Sequence, residues 1–136
     1  FSGVTGDLEL VYRIAASTRL QLNGERTPGF SLSVGSIYYV NENYGLRFIR
    51  YFNRFLGGEA SYLLGNLTFP GAVGVNEGRE DDYRIAEIGL RFRVAQDEMG
   101  RTTEYNLTLQ NYVRESNVEG QDRSRTTLYT GATFGF

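Results

Sequence analysis

Cysteine and histidine are both missing from this chain of 136 residues. The first absence rules out disulfides and thiolate nucleophiles, and the two together remove the ligands that zinc, copper and haem sites usually need. Acid–base chemistry near neutral pH also loses its usual side chain. Lysine is missing too, so the 14 basic residues are all arginine; against 16 acids they give a formal net charge of -2. That balance leaves no basic footprint for nucleic acid. No apolar run approaches the roughly 20 residues of a membrane-spanning helix. A secretory signal is not visible either, and the chain opens on Phe1 rather than Met, so processing or incomplete coverage is expected to account for that start.

What is present is alternation. Val4, Leu8, Leu10, Tyr12 and Ile14 fall on one face, with Thr5, Asp7, Glu9 and Arg13 on the other, which is strand periodicity. A short connection at Ala15 to Thr18 leads into a strand where Leu20 and Leu22 oppose Arg19, Gln21, Asn23 and Glu25. After turn chemistry at Pro28-Gly29, the stretch from Gly29 to Gly35 fits both strand and loop, with a loop expected near Ser33 to Ser36. From Ile37 to Phe52 the pattern sets Tyr38, Val40, Tyr44, Leu46, Phe48 and Phe52 against Asn41, Asn43, Arg47 and Tyr51. A turn at Asn41 to Tyr44 is the competing division. Asn53-Arg54 reads as a short turn, followed by a strand in which Leu56, Gly58, Ala60, Tyr62 and Leu64 alternate with Glu59, Ser61 and Gly65.

The glycine-rich, acidic stretch from Pro70 to Asp82 reads as a loop. Beyond it Ala86, Ile88, Leu90, Phe92 and Val94 oppose Glu87, Gly89, Arg91 and Arg93, up to a polar turn at Gln96 to Gly100. The next strand sets Tyr105, Leu107, Leu109 and Val113 against Glu104, Asn106, Thr108, Gln110 and Arg114; a polar loop from Ser116 to Ser124 and a last strand follow. Long and short connections alternate. Strands of about 12 residues tilted by about 40° rise roughly 30 Å, enough to cross a bilayer, and a negative mean hydropathy is compatible because only every second residue meets lipid. The expected fold is an all-β, antiparallel up-and-down transmembrane β-barrel. About seven strands are counted, whereas bacterial single-chain barrels close with an even number of at least 8. Residues 1–136 are therefore expected to be a single barrel segment that lacks at least one strand.

The closing residues Tyr129-Thr130-Gly131-Ala132-Thr133-Phe134-Gly135-Phe136 resemble the C-terminal signal of bacterial outer-membrane proteins. That resemblance implies recognition by the barrel-assembly machinery, with Phe134 and Phe136 facing outer-membrane lipid and lipopolysaccharide. The stretches E-R-T-P-G-F from Glu25, Y-G-L-R-F-I-R-Y-F-N-R-F-L-G-G-E-A-S-Y from Tyr44, Y-R-I-A-E-I-G-L-R-F-R from Tyr83 and the final G-A-T-F-G-F are similar to the C-terminal part of outer-membrane β-barrel porins encoded beside exopolysaccharide genes. This similarity implies a larger barrel in the bacterial outer membrane that moves a polysaccharide substrate, with residues 1–136 the C-terminal portion of a longer chain.

The polar face collects Arg13, Arg19, Arg47, Arg91, Arg93, Arg114 and Arg125 with Asp7, Glu9, Glu25, Glu59, Glu87 and Glu104. Guanidinium groups bind carboxylate and phosphate through paired donors, so the arginines could line a pore selective for anionic sugars. Alternatively, arginines and carboxylates on neighbouring strands pair and brace the wall. Glu77, Glu80, Asp81 and Asp82 are read as a solvated loop rather than a cation site, because the spacing of a calcium loop is absent. No metal or cofactor is expected, and no enzyme, since a nucleophile activated by histidine cannot be assembled; a Glu59 and Glu87 pair acting on glycosides is the residual exception. The functional expectation is a porin or export channel. A barrel plugged by its own charges that receives a partner through its loops is the alternative, and a soluble ligand-binding barrel with its apolar faces inward is the third reading.

Overall fold

A computed structural model describes residues 3–31, 38–70, 72–74, 77–96 and 102–134. The described residues form seven strands: β1 (Gly6–Ala15), β2 (Thr18–Phe30), β3 (Tyr38–Tyr51), β4 (Leu56–Thr68), β5 (Glu80–Gln96), β6 (Thr102–Ser116) and β7 (Arg123–Phe134). They build one sheet in sequence order, every neighbour antiparallel. The sheet is open. β1 and β7 are its edges, and they run in the same direction because five strands lie between them.

Pairing settles two divisions that the sequence left open, in β3 and at the end of β2, and moves one boundary, the start of β5. β3 runs straight through Asn41 to Tyr44 because all four residues are paired on both sides, with β2 and with β4. β2 continues through Pro28 to Phe30. Proline removes a ladder donor, yet the β1 pairing ends at Gly6 opposite Arg26, so Pro28 lies where β2 has β3 as its only partner. β5 begins at Glu80, so Glu80, Asp81 and Asp82 belong to a strand, paired with Thr68, Leu67 and Asn66. The loop expected near Ser33 to Ser36 and most of the turn at Gln96 to Gly100 lie outside the described residues. At the β3–β4 turn the Asn53 side-chain oxygen accepts from the backbone N–H groups of Phe55 at 2.8 Å and Leu56 at 2.9 Å. An asparagine of this kind substitutes for backbone in closing a turn.

Period-two alternation gives the sheet two chemically distinct faces, and the contacts show which way it curls. On the polar face side chains meet across non-adjacent strands: the Tyr83 hydroxyl donates to Asn41 at 2.7 Å, from β5 to β3. The Arg93 guanidinium sits 5.0 Å from the Tyr51 ring centroid, and the Tyr51 hydroxyl comes within 3.5 Å of Glu104 on β6. Flat strands about 4.8 Å apart would hold β3 and β6 some 14 Å from one another. The polar face is therefore concave. On the other face the side-chain pairs join immediate neighbours, as in Arg26 with Glu42 at 2.8 Å and Arg84 with Glu115 at 3.5 Å.

The convex face carries Leu10, Tyr12, Leu22, Leu46, Phe48, Tyr62, Ile88, Leu90, Leu107, Leu109 and Leu128, all exposed. Buried apolar side chains among the described residues are confined to Val40, Ile49, Phe69 and Ala72. Most large apolar side chains among the described residues therefore lie on the exposed convex face and not in a core.

Small residues let the concave face close up. The Tyr83 ring on β5 occupies the space where a Cβ at its partner Gly65 would stand, and Tyr51 does the same at Gly57. Gly65→Ala is expected to push the Tyr83 ring away and lose its hydrogen bond to Asn41, at a cost of about 1–2 kcal/mol. A lowered urea midpoint in detergent is the readout; an unchanged midpoint would show that the ring finds another seat.

Candidate functional site on the concave face

Three polar clusters climb the concave face from the short-turn end to the long-loop end. At the bottom, Arg91 on β5 is gripped from both sides. Its Nη2 and Nε reach Glu59 Oε2 on β4 at 2.6 and 3.1 Å, and its Nη1 reaches Glu104 Oε1 on β6 at 3.1 Å. Arg93, two residues further and therefore on the same face, lies 3.5 Å from the other oxygen of Glu104. One arginine held between two carboxylates braces three strands, and its charge is spent on its neighbours.

The middle cluster is built on Glu87 of β5. Ser61 on β4 donates to it at 2.8 Å and Gln110 on β6 at 2.7 Å, while Arg47 on β3 stands 3.8 Å away. Tyr129 on β7 donates to the Gln110 carbonyl oxygen at 3.1 Å, which extends the network to the edge of the sheet. Arg47 is half exposed, so its contact with Glu87 is a weak, screened pair that leaves donors available to a ligand.

The third cluster sits under the long connection between β4 and β5. Arg79 donates to both oxygens of Asp81, Nε to Oδ1 at 2.9 Å and Nη2 to Oδ2 at 2.6 Å, with the two side chains 4% and 0% exposed. Ser116 on β6 donates to Asp81 at 2.5 Å, and Arg114 stands 3.7 Å from it. Arg79 also lies over the Phe69 ring at 4.5 Å. Donation to Asp81 raises the pKa of Arg79 above its ordinary value against the opposing effect of burial, so this charge persists at any pH the protein meets.

The arginines named from the sequence, Arg13, Arg19, Arg47, Arg91, Arg93, Arg114 and Arg125, all fall on the concave face, as do Glu59 and Glu87. Phe134 falls on the convex face; Phe136 lies outside the described residues. They do not form one site. Arg47, Arg91, Arg93 and Arg114 each have a carboxylate within 4.0 Å, which favours bracing over an anion-selective lining. Arg13 and Arg19 face each other across β1 and β2 without an ion pair among the described residues, and Arg125 lies 5.9 Å from the Tyr112 ring centroid. Glu59 and Glu87 are each bound into a separate cluster, a poor arrangement for a catalytic carboxylate pair. Glu80 and Asp82 alternate to the face opposite Asp81, so the loop acids do not converge on a cation.

Sequence reading missed Arg79 and the tyrosines Tyr51 and Tyr83 that reach across strands, and it took Asp81, which is buried, for a solvated loop acid. The Arg79-x-Asp81 spacing places two opposite charges on the same side of an extended segment, which was a usable signal. The longer-range tyrosine contacts had none, since they depend on curvature. Comparison with known proteins finds no matching family model, no similar curated protein and no matching solved structure.

Proposed function

We propose that this sheet is part of the wall of a transmembrane β-barrel in the bacterial outer membrane, a porin or export channel whose concave, polar face is turned to the solute. The carrying observation is the direction of curvature: the apolar face is convex and exposed, while the charged face is concave. A soluble ligand-binding barrel needs the reverse. The outline of the apolar surface supports the same reading. Along the pairing rows Tyr12 on β1 is level with Leu128 on β7, and Leu8 is level with Ser124. The apolar stretch thus starts four residues later on β7 than on β1, about 13 Å over a sheet about 29 Å wide, a slant of roughly 25°. Tilted strands crossing a flat slab require such a slanted band.

The solute class in this reading is polysaccharide, implied by the similarity to porins encoded beside exopolysaccharide genes, and the partners are outer-membrane lipid, lipopolysaccharide and the barrel-assembly machinery. Antiparallel closure between β1 and β7 takes an odd number of further strands, which gives the even total that such barrels have. Glu59, Arg91, Glu104 and Arg93 fill the lower concave face with their own pairs, and this favours, as a second reading, a plugged barrel that receives a partner through its loops. Planar-bilayer recording on the protein purified from detergent-solubilised membranes separates the two. Stable unitary conductance is expected for a channel; insertion with heat-modifiable migration but without conductance would favour the plugged form, and solubility without detergent would overturn both.

A further inference from the structure

On the concave face, Gly45, Leu63 and Ile85 lie along one pairing row of β3, β4 and β5, and Gln21, Arg47, Ser61 and Glu87 lie along the next. Between the two rows is an open pocket of about 360 Å³ that all seven residues line. Its floor is apolar and small, and its rim is a ladder of amide, hydroxyl, guanidinium and carboxylate groups. Asn23, also lining the pocket, lies over Gly45 in the space a Cβ would take, so a larger residue at 45 would displace that amide. The Asn23 amide itself has no side-chain hydrogen bond among the described residues and is exposed. The only arginine here, Arg47, stands between Glu87 at 3.8 Å and the side of the pocket that Glu9 lines.

We propose that this pocket binds one unit of a neutral, hydroxyl-rich ligand, a pyranose ring lying with its C–H face on Gly45, Leu63 and Ile85 and its hydroxyls toward Gln21, Asn23, Arg47 and Glu87. An amphipathic slot matches such a ring because one side offers carbon to carbon contact and the other offers paired donors and acceptors, the usual composition of a small-molecule site. Anions are disfavoured, since two carboxylates outnumber one guanidinium around the slot. The proposal rests on the reading of the concave face as the solute-facing one and narrows its substrate to uncharged sugars, in place of the anionic sugars that the arginines alone would suggest.

The test is saturation-transfer NMR and calorimetry on the full protein in detergent with two probes: maltoheptaose and a galacturonate oligomer of similar length. Maltoheptaose is expected to bind more tightly, and Gln21→Leu and Asn23→Leu, on a half-exposed and an exposed side chain whose loss leaves the strand pairing intact, are each expected to weaken it about tenfold, the worth of one good hydrogen bond. Tighter binding of the galacturonate oligomer, or maltoheptaose binding by both variants equal to that of the parent, would overturn the proposal. So would the absence of sugar binding by protein that conducts in bilayers. Failure to insert into membranes would instead overturn the channel reading, whatever the sugars do.

Discussion

Asp81→Ala is expected to lower the stability of the protein in detergent by about 3–5 kcal/mol, because it leaves a charge in place where its counter-charge was. Arg79, 4% exposed, would keep its guanidinium over the Phe69 ring without an acceptor, and Arg114 would lose the carboxylate 3.7 Å away. A loss of that size is a large share of the 5–15 kcal/mol by which folded proteins are usually stable. The check is the urea midpoint together with the temperature at which folded migration on a gel is lost. Replacing both members at once, Arg79→Leu with Asp81→Leu, is expected to recover much of the loss, since paired charges in a buried site can be exchanged for apolar residues at little cost. Ser116→Ala removes one of the donors to Asp81 and is expected to cost about 1–2 kcal/mol. A single variant at Asp81 as stable as the parent would mean that water, not Arg79, satisfies the carboxylate.

The second large effect separates the two faces of one strand pair. Ile88 is 65% exposed on the convex face, in the pairing row that joins Tyr12 to Leu128, and its partner Leu109 stands beside it. Gln110, the next residue after Leu109, points to the concave face and donates to Glu87. Ile88→Arg is expected to impede folding into lipid vesicles by about 2–4 kcal/mol, the cost of arginine at a bilayer midplane, or 30-fold and more in the folded-to-unfolded ratio. Gln110→Arg, with the same change in charge, is expected to cost far less because it faces polar groups and a carboxylate. Refolding yields in vesicles, compared with yields in urea-free buffer, measure the difference. Equal tolerance at the two positions would remove the membrane from the account of this sheet, whereas tolerance reversed, with Gln110 the sensitive site, would point to a soluble barrel.

Strand existence was legible because each strand carries its own signal. Leu8, Leu10, Tyr12 and Ile14 against Asp7, Glu9 and Arg13 need no partner to be recognised, and the same holds for Ala86 to Val94 against Glu87 to Arg93. Strand ends were less legible because pairing decides them. Asp81 reads as a loop acid in an acidic, glycine-rich stretch, yet it is paired with Leu67 and Ser116 and is the most buried charge described. Pro28 reads as a break, and it is tolerated because β1 stops short of it. The candidate site divides in the same way. Side-chain polarity placed Arg47, Glu59, Glu87 and Arg91 on one face, while the division into separate clusters depended on which neighbours they found.

Residue identity and a repeat of two were enough for the order of the strands, the two faces of each and the absence of thiol or imidazole chemistry, while the count of seven became definite only when pairing carried β3 through Asn41 to Tyr44. The tertiary structure decided which face became the inner one. Alternation is symmetric with respect to inside and outside; curvature is not, because it accumulates from strand to strand and brings Tyr51 to Glu104 and Tyr83 to Asn41 over distances no local pattern encodes.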